Sequence, residues 1–205
     1  DELKSGRDGF QELDACFEFY ATKTAESQDG RRILTAWMGL PDVAYPTDSE
    51  DWAHCLTLPR ELSLKDGKLI QQPVRELVAL RKEQALSESG LLSEAKHFER
   101  SGANCYELKL DVAFPATADH APVTLDLCED ATNDKRFRIT LDPNTNKITI
   151  DRSRCGIPFA EEFGTTRTLT VEHMDAVKLQ IFVDTSSIEI FVNDGEGTFT
   201  SRVFP

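Results

Sequence analysis

This 205-residue chain contains no apolar run approaching the ~20 residues that span a bilayer. It also has no cluster of lysines and arginines. Its 23 basic residues are outnumbered by 36 acidic ones, which gives a net charge of −13 and a pI near 4.7. A nucleic-acid partner needs a basic face to neutralise phosphates, and an anionic membrane surface selects for the same feature. Both classes of partner are set aside on charge. There is no CxxC pair to suggest zinc. The five cysteines (Cys16, Cys55, Cys105, Cys128, Cys155) are too scattered, and odd in number, for a dense disulfide framework. Free thiols in a reducing compartment are the expectation. The absence of an Asn-x-Ser/Thr acceptor agrees with a cytoplasmic protein. His54, His97, His120 and His173 lie far apart with no metal-ligand spacing and read as solvated or packing side chains. No signal peptide is visible, although a chain that opens at Asp1 leaves room for a leader upstream.

An apolar content of 40% is enough for a substantial core in one or two domains. The clearest pattern runs from Ile181 to Glu196, where apolar and polar residues alternate on both sides of Asp184-Thr185-Ser186-Ser187 and Asn193-Asp194-Gly195 closes the second run. Period-two alternation with polar turns predicts a half-buried β-hairpin. Similar signals predict strands at 107–114, 123–127, 137–141, 147–150, 169–171 and 178–183, with a hairpin loop at 142–146. Many short alternating strands argue for an antiparallel sandwich. Nearer the start, 17–24 and 32–37 read as strands around a Gln28-Asp29-Gly30 turn, followed by a short strand at 55–58 and a hairpin with its Gly turn at 65–68. Pro73 then opens Val74 to Arg81, whose Leu77 and Leu80 fall at helical spacing. That segment is predicted to be a short helical linker. No internal repeat is evident.

The wording at both ends carries more than periodicity. The 181–196 run continues through Phe199-Thr200-Ser201-Arg202-Val203-Phe204-Pro205. The early part reads Phe19-Tyr20-Ala21-Thr22-Lys23-Thr24, then Gly30-Arg31-Arg32-Ile33-Leu34-Thr35-Ala36-Trp37-Met38-Gly39, Tyr45-Pro46-Thr47, and Trp52-Ala53-His54-Cys55-Leu56-Thr57-Leu58-Pro59-Arg60-Glu61-Leu62. In order and spacing, these blocks closely resemble the C-terminal part of glycoside hydrolase family 32, the family of invertases and β-fructofuranosidases. The resemblance implies an all-β chain made of the last blade of a five-bladed β-propeller joined by a short helical linker to an antiparallel β-sandwich. The implied boundaries are 1–72 for the propeller remnant, 73–85 for the linker and 86–205 for the sandwich.

Retaining glycoside hydrolysis uses two carboxylic groups about 5 Å apart, one as nucleophile and one as acid/base. In the family these sit in an early Asn-Asp-Pro-Asn-Gly motif and a later Glu-Cys motif, with an Arg-Asp-Pro motif between them. All three would lie upstream of the Phe-Tyr-Ala block, so no catalytic residue is expected here. Asn193-Asp194-Gly195 and Leu141-Asp142-Pro143-Asn144 read as turns, Arg7-Asp8-Gly9 lacks the Pro, and Cys128-Glu129 reverses Glu-Cys. The resemblance implies sugar-binding roles instead. Trp37 matches an apolar wall of the fructose pocket. Tyr20 and Glu18 stand where bacterial relatives read Asp-Phe-Tyr-Ala, and Asp14 matches the opening Asp of the same motif. Glu18 would hydrogen-bond sugar hydroxyls, orient its neighbours, or sit as an exposed strand carboxylate. Trp52 and Tyr45 read as blade closure and Arg60-Glu61 as a surface ion pair at the domain junction. Cys16 stands where relatives show Gly, and Thr22-Lys23 resembles the plant-type Ser-Lys rather than Pro-Gln.

The implied function is the C-terminal part of a retaining β-fructofuranosidase acting on sucrose or sucrose 6-phosphate, with no metal or organic cofactor and with a missing N-terminal propeller portion as its partner. The alternative is a non-catalytic fructan-binding or assembly module. A weaker third reading, a stand-alone lectin-like sandwich, does not explain the blade and linker blocks.

Overall fold

A computed structural model describes residues 12–99, 104–115, 120–130 and 132–205. The Arg7-Asp8-Gly9 tripeptide lies outside the described residues. The first sheet is built from β1 (Tyr20–Glu26), β2 (Arg32–Met38), β3 (Cys55–Leu56), β4 (Arg60–Lys65) and β5 (Lys68–Pro73). Its order is β1-β2-β4-β5, all antiparallel, with β3 also on β2. β3 and β4 lie along one edge of β2, with Thr57 between them. Its amide donates to Ala36 O, and its hydroxyl accepts from Ala36 N, both at 3.0 Å. On β2 the alternation is regular. Leu34, Ala36 and Met38 are buried, while Ile33, Thr35 and Trp37 are only half covered.

β1 begins three residues later than the sequence predicts. The preceding segment, residues 14–18, instead runs beside the last strand of the chain, with Ala15 N donating to Thr198 O (2.9 Å) and Phe17 N to Thr200 O (3.0 Å). The predicted linker helix forms as a 3-10 helix, Arg75–Leu80, with no buried residue. Residues 81–99 then follow without regular structure, each of them exposed.

Two four-stranded antiparallel sheets make up the rest. One has the order β10 (Thr166–Thr170), β9 (Lys147–Arg154), β8 (Lys135–Asp142), β7 (Val123–Asp130). The other has the order β13 (Gly197–Arg202), β12 (Ser187–Val192), β11 (Ala176–Asp184), β6 (Tyr106–Ala113). The hairpin predicted at 181–196 is β11–β12, with Ile181 opposite Ile190 and Asp184 opposite Ser187 at the turn. Its closing Asn193–Gly195 is a turn, as predicted, and so is the segment after Asp142. Phe137, Ile139, Leu141, Ile148 and Ile150 face Leu179, Ile181, Val183, Ile188, Ile190 and Phe199 across one apolar core, all at 4% exposure or less. β12 and β13 are unusual in being buried on both faces. Their inner face meets the core, and their outer face meets the first sheet.

Candidate functional site

Three strands bring one row of side chains to the surface of the first sheet. Tyr20 pairs with Trp37, and Trp37 pairs with Leu56. Directly opposed residues share a face, so the three form a continuous apolar row. Tyr20 is 53% exposed and Leu56 67%, with Trp37 half-buried between them. A register shift just after Tyr20, with Ala21 at φ 48°, ends regular pairing at this point and re-aims the strand. The Tyr20 and Trp37 rings lie 5.8 Å apart at 56°. His54 is exposed and sets its ring edge-on to Trp37 at 4.9 Å, and to Tyr45 at 5.1 Å. Gly39 permits that packing, since a Cβ there would come within 2.6 Å of both the His54 ring and Trp37 Nε1. Tyr45 is buried and donor to none of these. Its hydroxyl accepts from Leu40 N at 3.0 Å, and burial pushes its pKa up to about 12, so it stays a neutral phenol. An exposed aromatic face of this kind can cover the carbon face of a sugar ring and exclude water from it.

Asp14 and Glu18 are not on that row. Both are buried at the junction between the first sheet and the sandwich. Glu18 Oε1 accepts from Arg152 Nη1 at 2.6 Å, and Oε2 accepts from Arg202 N at 2.9 Å, so neither oxygen is free. With no exposure at all, Glu18 is not the exposed strand carboxylate that the sequence allows. Asp14 Oδ2 accepts from Arg60 Nη1 (2.7 Å) and Thr200 Oγ1 (2.8 Å), while Oδ1 is buried without a partner among the described residues.

The expected Arg60–Glu61 surface pair does not form. Successive strand residues point to opposite faces, so Arg60 turns inward and Glu61 outward. Glu61 meets Arg31 at 3.2 Å. Arg60, fully buried, is shared between Asp14 and Glu189 of β12, each at 2.7 Å, and bonds also to Gln71, Thr198 and Thr200. Its guanidinium lies over Phe19 and Phe191. Burial works against its charge, but the two carboxylates hold it above its ordinary value. Burial pushes Glu189 up against the pull of Arg60, because one guanidinium cannot neutralise two carboxylates. Arg152 repeats the arrangement, packed over Phe17 at 3.8 Å and Phe159 at 4.4 Å while paired with Glu18. Arg152 is not singled out by the sequence reading, which also places Arg60 at the surface. The one available signal was a charged residue such as Glu189 placed between Ile188 and Ile190, on the strand face opposite the core.

Among the described residues, no three His, Cys, Asp or Glu side chains gather as a metal site requires. The geometry therefore offers an apolar binding surface held from behind by buried ion pairs.

This geometry defines a class, an antiparallel all-β protein in which a two-sheet sandwich clamps a further sheet bearing an exposed aromatic row. The sequence narrows it. The model described as Glycosyl hydrolases family 32 C terminal matches residues 76–205, and that described as Glycosyl hydrolases family 32 N-terminal domain matches residues 2–73. The chain belongs to glycosyl hydrolase family 32. It is 42% identical over 201 residues to a sucrose-6-phosphate hydrolase of Staphylococcus xylosus, covering 95% of this chain and 38% of the relative. The solved sucrose-6-phosphate hydrolase of Lactobacillus gasseri superposes with a TM-score of 0.80 at 35% identity, over 94% of this chain and 38% of that one. A Bombyx mori GH32 β-fructofuranosidase mutant solved in complex with sucrose gives a TM-score of 0.67 at 25% identity, over 95% and 38% of the two chains. The chain thus spans under two-fifths of the length of these relatives.

Proposed function

We propose that this chain is the C-terminal portion of a retaining β-fructofuranosidase that hydrolyses the fructosyl bond of sucrose 6-phosphate or sucrose. The observation that carries the reading is the exposed Tyr20–Trp37–Leu56 row, on a sheet matched by the family's N-terminal domain. In this reading the sheet at 1–72 is the last blade of a five-bladed propeller, 73–85 is the linker and 86–205 is the sandwich. The break between the two family matches, at 73 and 76, supports that division. The nucleophile and acid/base carboxylates belong to the upstream portion of the enzyme. One attacks the anomeric carbon of the fructosyl unit, and the other protonates the leaving oxygen and then activates water. Trp37, with Tyr20 beside it, walls the fructosyl pocket and excludes water. Asp14 and Glu18 act behind that wall, by fixing the sheet to the sandwich. Scattered cysteines support a reducing, cytoplasmic location.

The test compares three proteins, each assayed for fructose release from sucrose and sucrose 6-phosphate. The enzyme that includes this chain should turn over, its Trp37→Ala variant should lose at least about tenfold in kcat/KM with an unchanged melting transition, and the 205-residue chain alone should be inactive. Turnover by the chain alone, or an unaffected Trp37→Ala enzyme, would reject the assignment.

A further inference from the structure

Arg202 ends β13 in the sandwich, yet its side chain acts on the first sheet. It is fully buried. Among the described residues, every hydrogen bond from its guanidinium goes to an uncharged oxygen. Nε donates to Ser186 O at 2.9 Å and Nη2 to Ser186 Oγ at 3.3 Å. Nη1 donates to Ala53 O at 2.7 Å and, more weakly, to Met38 O at 3.5 Å. The rings of Tyr45, Trp52 and Phe204 surround it at 5.4, 5.6 and 5.1 Å. A cation removed from water is held here by aromatic faces and carbonyl dipoles, an environment that suits a planar guanidinium and not an ammonium.

The two carbonyls it reaches on the first sheet matter most. Met38 directly follows Trp37, and Ala53 directly precedes His54. Trp37 and His54 are the two rings in edge contact at 4.9 Å, with Gly39 leaving no spare room between them. Residues 39–54 run out of β2 and back to β3 as a loop, and Arg202 holds both of its ends from beneath. On the same loop, Val43 and Tyr45 pack with Ala160 and Phe204 of the sandwich in a separate apolar cluster. The sandwich therefore reaches the loop behind the outward-facing row through the Arg202 guanidinium, the ring cage around it and this apolar cluster.

We propose that Arg202 is a positioning residue. By bridging Met38 O and Ala53 O, it fixes the spacing of Trp37 and His54 and thereby the shape of the sugar-facing wall. This rests on the fructosidase reading only for its consequence on turnover; the effect on Trp37 stands apart from it. Trp37 and Trp52 are the chain's two tryptophans, so a Trp52→Phe background leaves Trp37 as the sole emitter.

In that background, acrylamide quenching of Trp37 is measured at 25 °C on folded protein for Arg202, Arg202→Lys and Arg202→Met, beside each melting curve. A structural role alone would lower the melting temperature and leave Trp37 quenching in the folded state unchanged. The positioning role requires quenching to rise by roughly twofold or more, because the loop ends are released while the fold persists. If the methionine variant does not fold, the lysine variant decides, since its shorter side chain keeps the charge but has one nitrogen and cannot hold Ser186 and the two carbonyls at once. Unchanged quenching in the folded variants overturns the proposal. In the enzyme that includes this chain, Arg202→Lys should raise KM by about tenfold with kcat within about threefold, the mark of a misplaced binding wall. An unchanged KM also overturns the proposal. An enzyme that cleaves no fructoside would sink the functional reading, while the quenching result still decides the role of Arg202.

Discussion

Replacing Arg60 by Met tests the junction most directly. The side chain is fully buried, with Asp14 and Glu189 each at 2.7 Å and three further oxygen acceptors around it. Methionine fills similar space but leaves two carboxylates facing each other without a cation. Removing one partner of a buried ion pair costs about 3–5 kcal/mol. For a chain of this size each kcal/mol moves the melting temperature by about 2–4 °C, so a fall of roughly 6–20 °C is expected at pH 7. The loss should depend on pH. Glu189 already sits above its ordinary value of 4.5 through burial, and Arg60 opposes that rise. Without Arg60 the rise is larger, so the folded variant holds a proton that the unfolded chain gives up. A raised folded-state pKa contributes stability that is complete below about 4.5 and is lost as pH climbs through the raised value. The deficit should therefore be smallest near pH 5 and grow toward pH 7. Neutralising the carboxylates as well, with Asp14→Asn and Glu189→Gln, should recover much of the loss. Urea denaturation at pH 5, 6 and 7 is the assay. A loss under about 1 kcal/mol at pH 7 would refute the account, and so would a deficit that shrinks as pH rises.

Two further expectations concern the backbone. Gly195 has φ +96°, and a Cβ there would meet Gln71 O at 2.2 Å, whereas Gly67 has φ +78° with nothing within 4 Å. Gly67→Ala should cost about 1–2 kcal/mol through backbone strain alone, and Gly195→Ala clearly more, because the turn must also part from β5; equal costs measured by denaturation would show that the overlap relaxes freely. Among the strands, hydrogen exchange should be slowest in β11 and β12, buried at the sandwich centre, and fast in β1, which is exposed along nearly its whole length. Equal protection of the two regions would mean that another surface covers β1.

The β11–β12 hairpin was legible because only one of its faces has to be apolar to reveal the core, and Ile181, Val183, Ile188 and Ile190 supply it. β13 was not assigned as a strand. Thr198, Thr200, Ser201 and Arg202 are polar and do not mark a core, yet all are buried, because their polar face meets another sheet rather than water. The same ambiguity governs the site. The family resemblance singles out Trp37 and Tyr20, and strand pairing puts the two side by side on the exposed face. Asp14 and Glu18 look like sugar ligands in one dimension, because the arginines that claim them lie 46 and 134 residues away. The linker shows the limit of periodicity. Leu77 and Leu80 are helically spaced, but Leu77 is only partly covered and Leu80 is exposed, and the six residues form a 3-10 helix with no buried residue, too short to repay helix nucleation.

The pairing of residues 14–18 with β13 has a consequence for biosynthesis. Asp14 and Glu18 are among the first described residues to be translated, and Thr198, Thr200 and Arg202 among the last. Until those late residues leave the ribosome, Asp14 lacks the Thr200 hydroxyl, Glu18 lacks the Arg202 amide, and the carbonyls of Met38 and Ala53 lack their shared donor. Domains usually complete themselves from the N-terminus as synthesis proceeds. Here the early sheet must wait, with its polar inner edge unpaired, while the residues between Asp14 and Thr200, 186 positions apart, are made. Loss of Thr200 and Arg202 would therefore strand the first sheet as well as shorten the sandwich, because Asp14, Glu18, Met38 and Ala53 would lose the partners that β13 supplies.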